Sequence, residues 1–191
     1  MKARESGMPD EAYWESFFDT DATMEILFST SGLEGHLVEF GCGYGTFTLP
    51  AALRSHGVVT ALDIEPLMVE CVRQKTEALG LSNVQAEIRD FVAHGSGLAS
   101  ETQDHALIFN LLHLEHPVAL LQEAHRVLHD RGMLFVMHWR SDIPTPRGPS
   151  LAIRPRPKQC QAWLEEAGFQ NIEPVNLQLC CPYHFGLIAT R

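Results

Sequence analysis

Three glycines at alternate positions, Gly41, Gly43 and Gly45, follow a short apolar run, and a segment of helical character begins at Thr46. Glycine permits a positive φ and lets the backbone approach a ligand closely. A strand, a glycine turn and a helix in series direct the unpaired N–H groups of the helix toward whatever lies on the turn. The pattern therefore predicts a binding site for a nucleoside-like ligand.

The spacing of these glycines bears on which ligand the turn binds. The chain has G-x-G-x-G, and its sixth position is Thr46. A dinucleotide fingerprint instead requires G-x-G-x-x-G to hold a pyrophosphate. The spacing disfavours an NAD-dependent oxidoreductase, which stays as a weaker alternative.

With Glu39 two residues before Gly41, the turn resembles the first motif of class I S-adenosylmethionine-dependent methyltransferases, and the resemblance extends from about Leu37 to Arg191. It implies an α/β fold with a Rossmann-like, seven-stranded, mostly parallel sheet, helices on both faces and an antiparallel last strand. It also implies S-adenosyl-L-methionine as cofactor, with Glu39 serving its methionine ammonium. The predicted function is in-line methyl transfer to a small molecule; a non-catalytic S-adenosylmethionine-binding protein is the alternative.

Two acidic residues at predicted strand ends extend this site. Asp63 lies 22 residues after Gly41, a spacing that suits hydrogen bonds to ribose hydroxyls, although Asp63 could instead cap the next helix. For Asp90 the resemblance implies a contact with the adenine amine, and the alternative is an ordinary strand-terminating aspartate. The predicted cofactor-binding residues are Glu39, Gly41, Cys42, Gly43, Gly45, Asp63, Ile64, Asp90, Phe91 and Asn110.

Two histidines are the candidate catalytic residues. The segment Asn110-Leu111-Leu112-His113 follows a predicted strand, and the resemblance implies a catalytic motif there. Methyltransferases that act on base amines have Asp/Asn-Pro-Pro-aromatic at this place, so the segment disfavours that substrate. His113, or His138 at the end of another strand, could act as a general base. A metal site at His113 and His116 is disfavoured because no third ligand follows at a recognisable spacing.

Residues 139–158 contain five of the eleven prolines and five basic residues against one acid, Asp142. Arginine is suited to carboxylate or phosphate groups, so this segment could be a cap that binds an acidic substrate. A solvated connection or a subunit contact is the alternative. At the other end, residues 9–28 predict one or two helices, whose Tyr13, Trp14 and Phe17 either form a lid or cover the sheet.

The composition limits the classes of molecule that the protein is expected to bind. A net charge of −10 disfavours nucleic acid and anionic membranes. The polar opening and the absence of a long apolar run predict a cytoplasmic protein without a membrane span. Five cysteines without a C-x-x-C pair predict reduced thiols. We expect a monomer or homodimer that binds no metal and binds a small molecule, which could carry an acidic group. Zinc or arsenic binding at the cysteines is a remaining alternative.

The chain is predicted to form one domain, with an N-terminal helical cap over residues 1–34 and an α/β core over residues 35–191. Residues 92–104 are predicted to be a loop, and Cys180 and Cys181 to face opposite sides of a strand. The predicted strands are 37–40, 58–62, 84–89, 105–110, 133–138, 175–179 and 183–190. The predicted core helices are 47–55, 66–79, 117–129 and 157–167.

Overall fold

The computed structural model describes residues 7–28 and 33–191, which contain one seven-stranded sheet. The strand order is β3-β2-β1-β4-β5-β7-β6, and β7 alone runs antiparallel to both of its neighbours. This arrangement confirms the predicted fold class. The strands are β1 (Leu37–Phe40), β2 (Val59–Asp63), β3 (Val84–Ile88), β4 (Gln103–Phe109), β5 (Leu128–Trp139), β6 (Gln170–Val175) and β7 (His184–Thr190).

Helices cover both faces of the sheet. Proline lies in the first turn of α4, α6 and α7, where its missing N–H costs no hydrogen bond. The helices are α1 (Glu11–Glu15), α2 (Thr20–Leu27), α3 (Thr48–Arg54), α4 (Pro66–Ala78), α5 (Phe91–His94), α6 (Pro117–Val127) and α7 (Pro157–Glu166).

Alternation along β5 divides the core into two layers. Val136 packs with Leu121 of α6 and Leu164 of α7. The next residue back, Phe135, faces the opposite layer, where it joins Leu27 of α2. Because successive strand side chains point to opposite faces, one strand supplies both layers. Because β1 to β5 run parallel to one another, their carboxyl ends meet at one edge of the sheet.

The sixth strand was predicted wrongly. It covers Gln170–Val175, and the segment that follows is a turn in which Leu179 is 98% exposed. The backbone N–H groups of Cys180 and Cys181 both donate to the carbonyl of Leu177, at 3.1 and 2.6 Å. The alternating apolar residues here have the pattern of a strand, but the two hydrogen bonds to the Leu177 carbonyl form a turn instead. Both cysteines are buried in that turn rather than on opposite faces of a strand.

Several other boundaries differ from the prediction. Strand β4 begins at Gln103, inside the predicted loop, and β5 begins at Leu128 rather than Met133. The predicted loop over residues 92–104 contains most of α5, which Asp90 begins by accepting a hydrogen bond from the N–H of Ala93 at 2.9 Å. Helix α6 ends at Val127, because the chain pairs with β4 from Leu128 onward. Among the described residues, no helix is long and apolar enough to cross a membrane.

Candidate functional site

A cavity of about 380 Å³ lies at the carboxyl ends of β1 to β5. Its position follows from the fold, since ligands of open parallel sheets bind beyond the carboxyl ends at the point where strand order reverses. The predicted site residues that line it are Glu39, Gly41, Cys42, Gly43, Asp63, Ile64, Asp90, Phe91, Asn110 and His113.

The glycine turn forms the floor of the cavity. Gly41 and Gly43 have φ values of 76° and 52°, in the left-handed region. A Cβ on Gly41 would lie 3.1 Å from a methyl carbon of Leu111, and one on Gly43 would lie 3.2 Å from Cε of Met8. Gly45 does not line this cavity; a Cβ there would meet Val72 of α4 at 3.1 Å. The first two glycines therefore shape the cavity, and the third permits close helix packing.

Glu39 is a buried carboxyl group at the end of β1, with only 2% of its surface exposed. Its Oε2 accepts a hydrogen bond from the hydroxyl of Thr48. Burial raises the pKa of Glu39 to about 8, with a smaller increase from the charge of Asp63, while the Thr48 hydrogen bond acts in the opposite direction. Without a cation beside it, this carboxyl therefore holds its proton at neutral pH.

Asp63 ties the glycine turn to the end of β2. Its carboxylate accepts hydrogen bonds from the N–H of Gly43 at 2.9 Å and from the N–H of Glu65 at 3.0 Å. Burial raises the pKa of Asp63, and these backbone donors oppose that rise. The residue that caps α4 is Glu65, so Asp63 is not its N-cap. A carboxylate has about four acceptor positions, so Asp63 can still accept bonds from a ligand.

Asn110 presents an unsatisfied amide to the cavity. Both polar atoms of its side chain are buried and lack a hydrogen-bond partner among the described residues. Its φ of 60° is left-handed, which asparagine tolerates better than most residues. The backbone N–H donates to the carbonyl of Met137 at 2.7 Å and so fixes the residue at the strand end. Buried polar groups are normally paired, so this amide indicates a place for a polar ligand atom.

The two candidate catalytic histidines contact each other, but only His113 lines the cavity. Nδ1 of His113 lies 3.2 Å from Nε2 of His138. His138 is fully buried behind it, and its Nδ1 lies 3.1 Å from the carbonyl oxygen of Trp139. The structure therefore brings the pair together without bringing His138 to the cavity. His116 is exposed at the start of α6, outside the cavity.

Two segments close the mouth of the cavity, and sequence reasoning identified parts of both. Met8 and Trp14 line it from the N-terminal side, and Trp14 Nε1 donates to Oγ1 of Thr46 at 3.1 Å. From the other side Arg147 lines it and donates to the carbonyl of Gly7. Of the three predicted lid aromatics, Trp14 alone lines the cavity; Phe17 is buried and Tyr13 is 46% exposed.

Two other arginines of residues 139–158, Arg140 and Arg154, form hydrogen bonds within the segment. Arg140 pairs with Asp142 at 2.7 Å. The buried guanidinium of Arg154 donates to three backbone carbonyls, those of Arg140, Arg147 and Pro149, at 2.7 to 3.0 Å. Arg147 is the arginine of this segment that reaches the cavity.

Several lining residues were not predicted individually. Most adjoin a predicted residue in sequence, so their position after a predicted strand or turn was the available signal. These residues are Thr46, Phe47, Arg89, Val92, Phe109, Leu111, Leu114, Trp139, Arg147, Gly148 and Pro149. Gly7 and Met8 carry no comparable signal, because their contact depends on how the N-terminal segment folds back.

A family model described as a methyltransferase domain matches residues 38–136, which include β2 to β4 and most of β1 and β5. The chain belongs to this family. Membership confirms the predicted resemblance to class I S-adenosylmethionine-dependent methyltransferases, and it supports S-adenosylmethionine as the cofactor. No curated protein matches the sequence.

Solved structures confirm the methyltransferase fold over nearly the whole chain. An S-adenosylmethionine-dependent methyltransferase from Aquifex aeolicus shares 24% identity with a TM-score of 0.78, covering 95% of this chain and 93% of that one. A geranyl diphosphate methyltransferase in complex with S-adenosylmethionine shares 14% identity, with a TM-score of 0.70 and coverages of 96% and 92%. The [4+2]-cyclase SpnF shares 19% identity, with a TM-score of 0.70 and coverages of 89% and 79%. At these identities the likeness concerns the fold.

Proposed function

We propose that this methyltransferase-family protein transfers a methyl group from S-adenosylmethionine to a small molecule held in the cavity. One observation carries the proposal: a single cavity at the sheet's switch point combines a glycine floor, buried carboxyls, an unsatisfied amide and a histidine. A nucleoside with a cationic amino-acid tail needs these groups together. A dinucleotide would need a pyrophosphate cradle, which the glycine spacing does not provide.

The residues present fit the cofactor. Glu39 is a buried carboxyl group that would hold the ammonium group of the methionine end. Asp63, fixed by two backbone donors, would accept from the ribose hydroxyls. Ile64, Asp90 and Phe91 line the part of the cavity next to it and would contact the adenine. The amide of Asn110 would gain the partner that it lacks in the protein alone.

When bound, S-adenosylmethionine supplies an electrophilic methyl group, which an aligned nucleophile takes in line while the bonding electron pair stays on sulfur. The protein's own residues align the acceptor and exclude water. Trp14, Phe47, Phe109 and Trp139 give the cavity apolar walls. His113 is the group in the cavity that could take a proton from the acceptor.

The substrate is a small molecule, and an acidic group on it would have a partner. Arg147 reaches the cavity, and among the described residues no carboxylate pairs with it. The other carboxyl and guanidinium side chains that line the cavity are Glu39, Asp63, Asp90 and Arg89. A bidentate guanidinium suits a carboxylate or phosphate, so Arg147 would orient an anionic substrate.

Calorimetric titration with S-adenosylmethionine and S-adenosylhomocysteine tests the proposal. We expect micromolar binding by the wild type, and loss of at least ten-fold in affinity for Asp63→Asn. Asp104→Asn is the matched control, because Asp104 also accepts a backbone N–H, from His36 at 2.7 Å, but lies at the amino end of β4.

No binding by the folded wild type would contradict the proposal. Binding without methylation of any candidate in a screen of small acidic and aromatic molecules would favour the non-catalytic alternative.

A further inference from the structure

A chain of two hydrogen bonds runs from the sheet backbone to the cavity. The carbonyl oxygen of Trp139 faces Nδ1 of His138 at 3.1 Å, and Nε2 of His138 faces Nδ1 of His113 at 3.2 Å. His138 is fully buried and has no place in the cavity wall, whereas His113 lines it. Both ring nitrogens of His138 are therefore paired, one with the backbone and the other with the candidate base.

The direction of each hydrogen bond follows from the carbonyl group. A carbonyl only accepts, so Nδ1 of His138 must carry the proton. A neutral imidazole has one N–H, so Nε2 of His138 is an acceptor. Nδ1 of His113 must then donate to it, which leaves Nε2 of His113 with a lone pair and no proton.

Both rings are held neutral by their surroundings. Burial lowers the pKa of His138 to about 3, although its hydrogen bond to Trp139 opposes this. Burial and then the charge of Arg154 lower the pKa of His113, while the backbone carbonyl of Asn110 raises it. His184, another buried histidine, packs on Trp139 with ring centroids 4.2 Å apart, and burial lowers its pKa to about 3 as well.

We propose that His138 is a positioning residue: it fixes the ring proton of His113 on Nδ1, so that Nε2 of His113 accepts a proton from the methyl acceptor. This inference rests on the proposed function. It narrows the substrate to molecules with a hydrogen on the nucleophilic atom, namely a hydroxyl, a thiol or an N–H amine. The acceptor's proton passes to Nε2 of His113 and then to water. A carboxylate or a tertiary amine has no such proton, so neither is the methylated group.

The tautomers can be measured on the full chain without a ligand. In two-bond ¹⁵N–¹H correlation spectra of ¹⁵N-histidine-labelled protein at pH 7, each ring shows which nitrogen carries its proton. His113→Gln and His138→Gln assign the two signals. We expect both rings to be neutral with the proton on Nδ1. A proton on Nε2 of His113, or a doubly protonated ring, would overturn the inference.

Variants of His138 separate positioning from packing. His138→Phe removes the acceptor, so we expect the His113 proton to redistribute between its two nitrogens. His138→Gln retains an acceptor oxygen, and we expect it to restore the Nδ1 proton. His184→Phe is the control, since it alters a neighbouring buried histidine that does not bond to His113. An unchanged His113 spectrum in His138→Phe would show that His138 does not set the tautomer.

Once an acceptor substrate is found, His138→Phe should lower kcat by about ten-fold or more with little change in KM, because the proton transfer loses its oriented base. The calorimetric test of the cofactor is independent of the tautomer test. Failure of cofactor binding with both tautomers as expected would reject the proposed function, and with it proton transfer from a methyl acceptor, while the tautomer assignment would stand. Cofactor binding with the wrong tautomers would reject the role of His138 alone.

Discussion

The proposed contact between Glu39 and the methionine ammonium predicts that cofactor binding depends on pH. The Glu39 pKa of about 8 in the unliganded protein means that the unfolded carboxyl, at 4.5, ionises first as pH rises. The free energy of unfolding of the unliganded protein should therefore fall as pH rises from about 4.5 to about 8 and show no further loss from this group above that. A cationic ligand requires the ionised form, so its binding releases a proton below pH 8. We expect the affinity for S-adenosylhomocysteine to rise by up to about ten-fold between pH 6 and 7.

Calorimetry in buffers of different ionisation enthalpy measures the released proton directly. Glu39→Gln should bind more weakly and show no such pH dependence, whereas Asp104→Asn should behave like the wild type. A wild-type affinity that stays constant from pH 6 to 7 would remove Glu39 from the ammonium site.

Asn110 should contribute to binding but not to stability. Its amide has no partner in the protein alone, so Asn110→Gly should leave the free energy of unfolding nearly unchanged while it retains the left-handed φ. Loss of two ligand hydrogen bonds at roughly 0.5–1.5 kcal/mol each predicts an affinity about five- to 150-fold lower.

Asn110→Ala separates the loss of ligand affinity, which comes from removing the amide, from the loss of stability, which comes from the left-handed backbone. Alanine should lose the same affinity but also cost about 1–2 kcal/mol of stability, because its Cβ disfavours a φ of 60°. Thermal unfolding and calorimetry measure the two effects separately. Undiminished affinity in Asn110→Gly would mean that the amide faces no ligand atom.

At the scale of elements, helix α1 and the glycine turn are joined by one side-chain bond across the cavity mouth. Trp14 Nε1 donates to Oγ1 of Thr46, which lies just before α3. We expect Trp14→Phe and Thr46→Val each to raise the dissociation rate of S-adenosylhomocysteine about two- to ten-fold, because each loses the same bond.

Stopped-flow displacement measures these rates, and a double-mutant cycle tests the shared cause. The double variant should dissociate no faster than either single variant if the two residues act through their mutual bond. Independent, multiplying effects would assign Trp14 and Thr46 separate contacts with the ligand.

The sequence predicts helices and strands well where several features of the neighbouring residues indicate the same element. Proline at the start and glycine after the end mark α4 and α7 to within two residues, and the apolar run predicts β1 over residues 37–40. The prediction of the sixth strand was wrong because alternation of apolar residues does not show that two backbone N–H groups donate to the Leu177 carbonyl. The contact between His113 and His138 is similarly non-local. It depends on the β4–β5 register, which pairs Phe109 with Met137 and so brings the segment after β4, with His113, beside the end of β5, which contains His138.

At the scale of the whole molecule, the predicted division at residue 34 groups two helices with different environments. Helix α1 has no buried residues, and a bond from Lys75 to Glu11 and one from Trp14 connect it to the core. Helix α2 buries Met24 and Leu27 in the layer that contains Phe135. The described contacts therefore indicate that α1 can open alone, whereas α2 opens only with the sheet.

Hydrogen exchange followed by mass spectrometry tests this difference. In the unliganded protein, we expect the amides of α1 to exchange by local opening and those of α2 to exchange at rates close to global unfolding. S-adenosylhomocysteine should slow exchange in α1 and in residues 145–149 together, because Arg147 donates to the Gly7 carbonyl across the cavity mouth. Edge strand β6, remote from the cavity, is the internal control and should change only as much as global stability does. Exchange of α1 and α2 at one common rate would instead show that residues 7–28 open as a single cap, which would make the boundary at residue 34 a real division in the energetics of the fold.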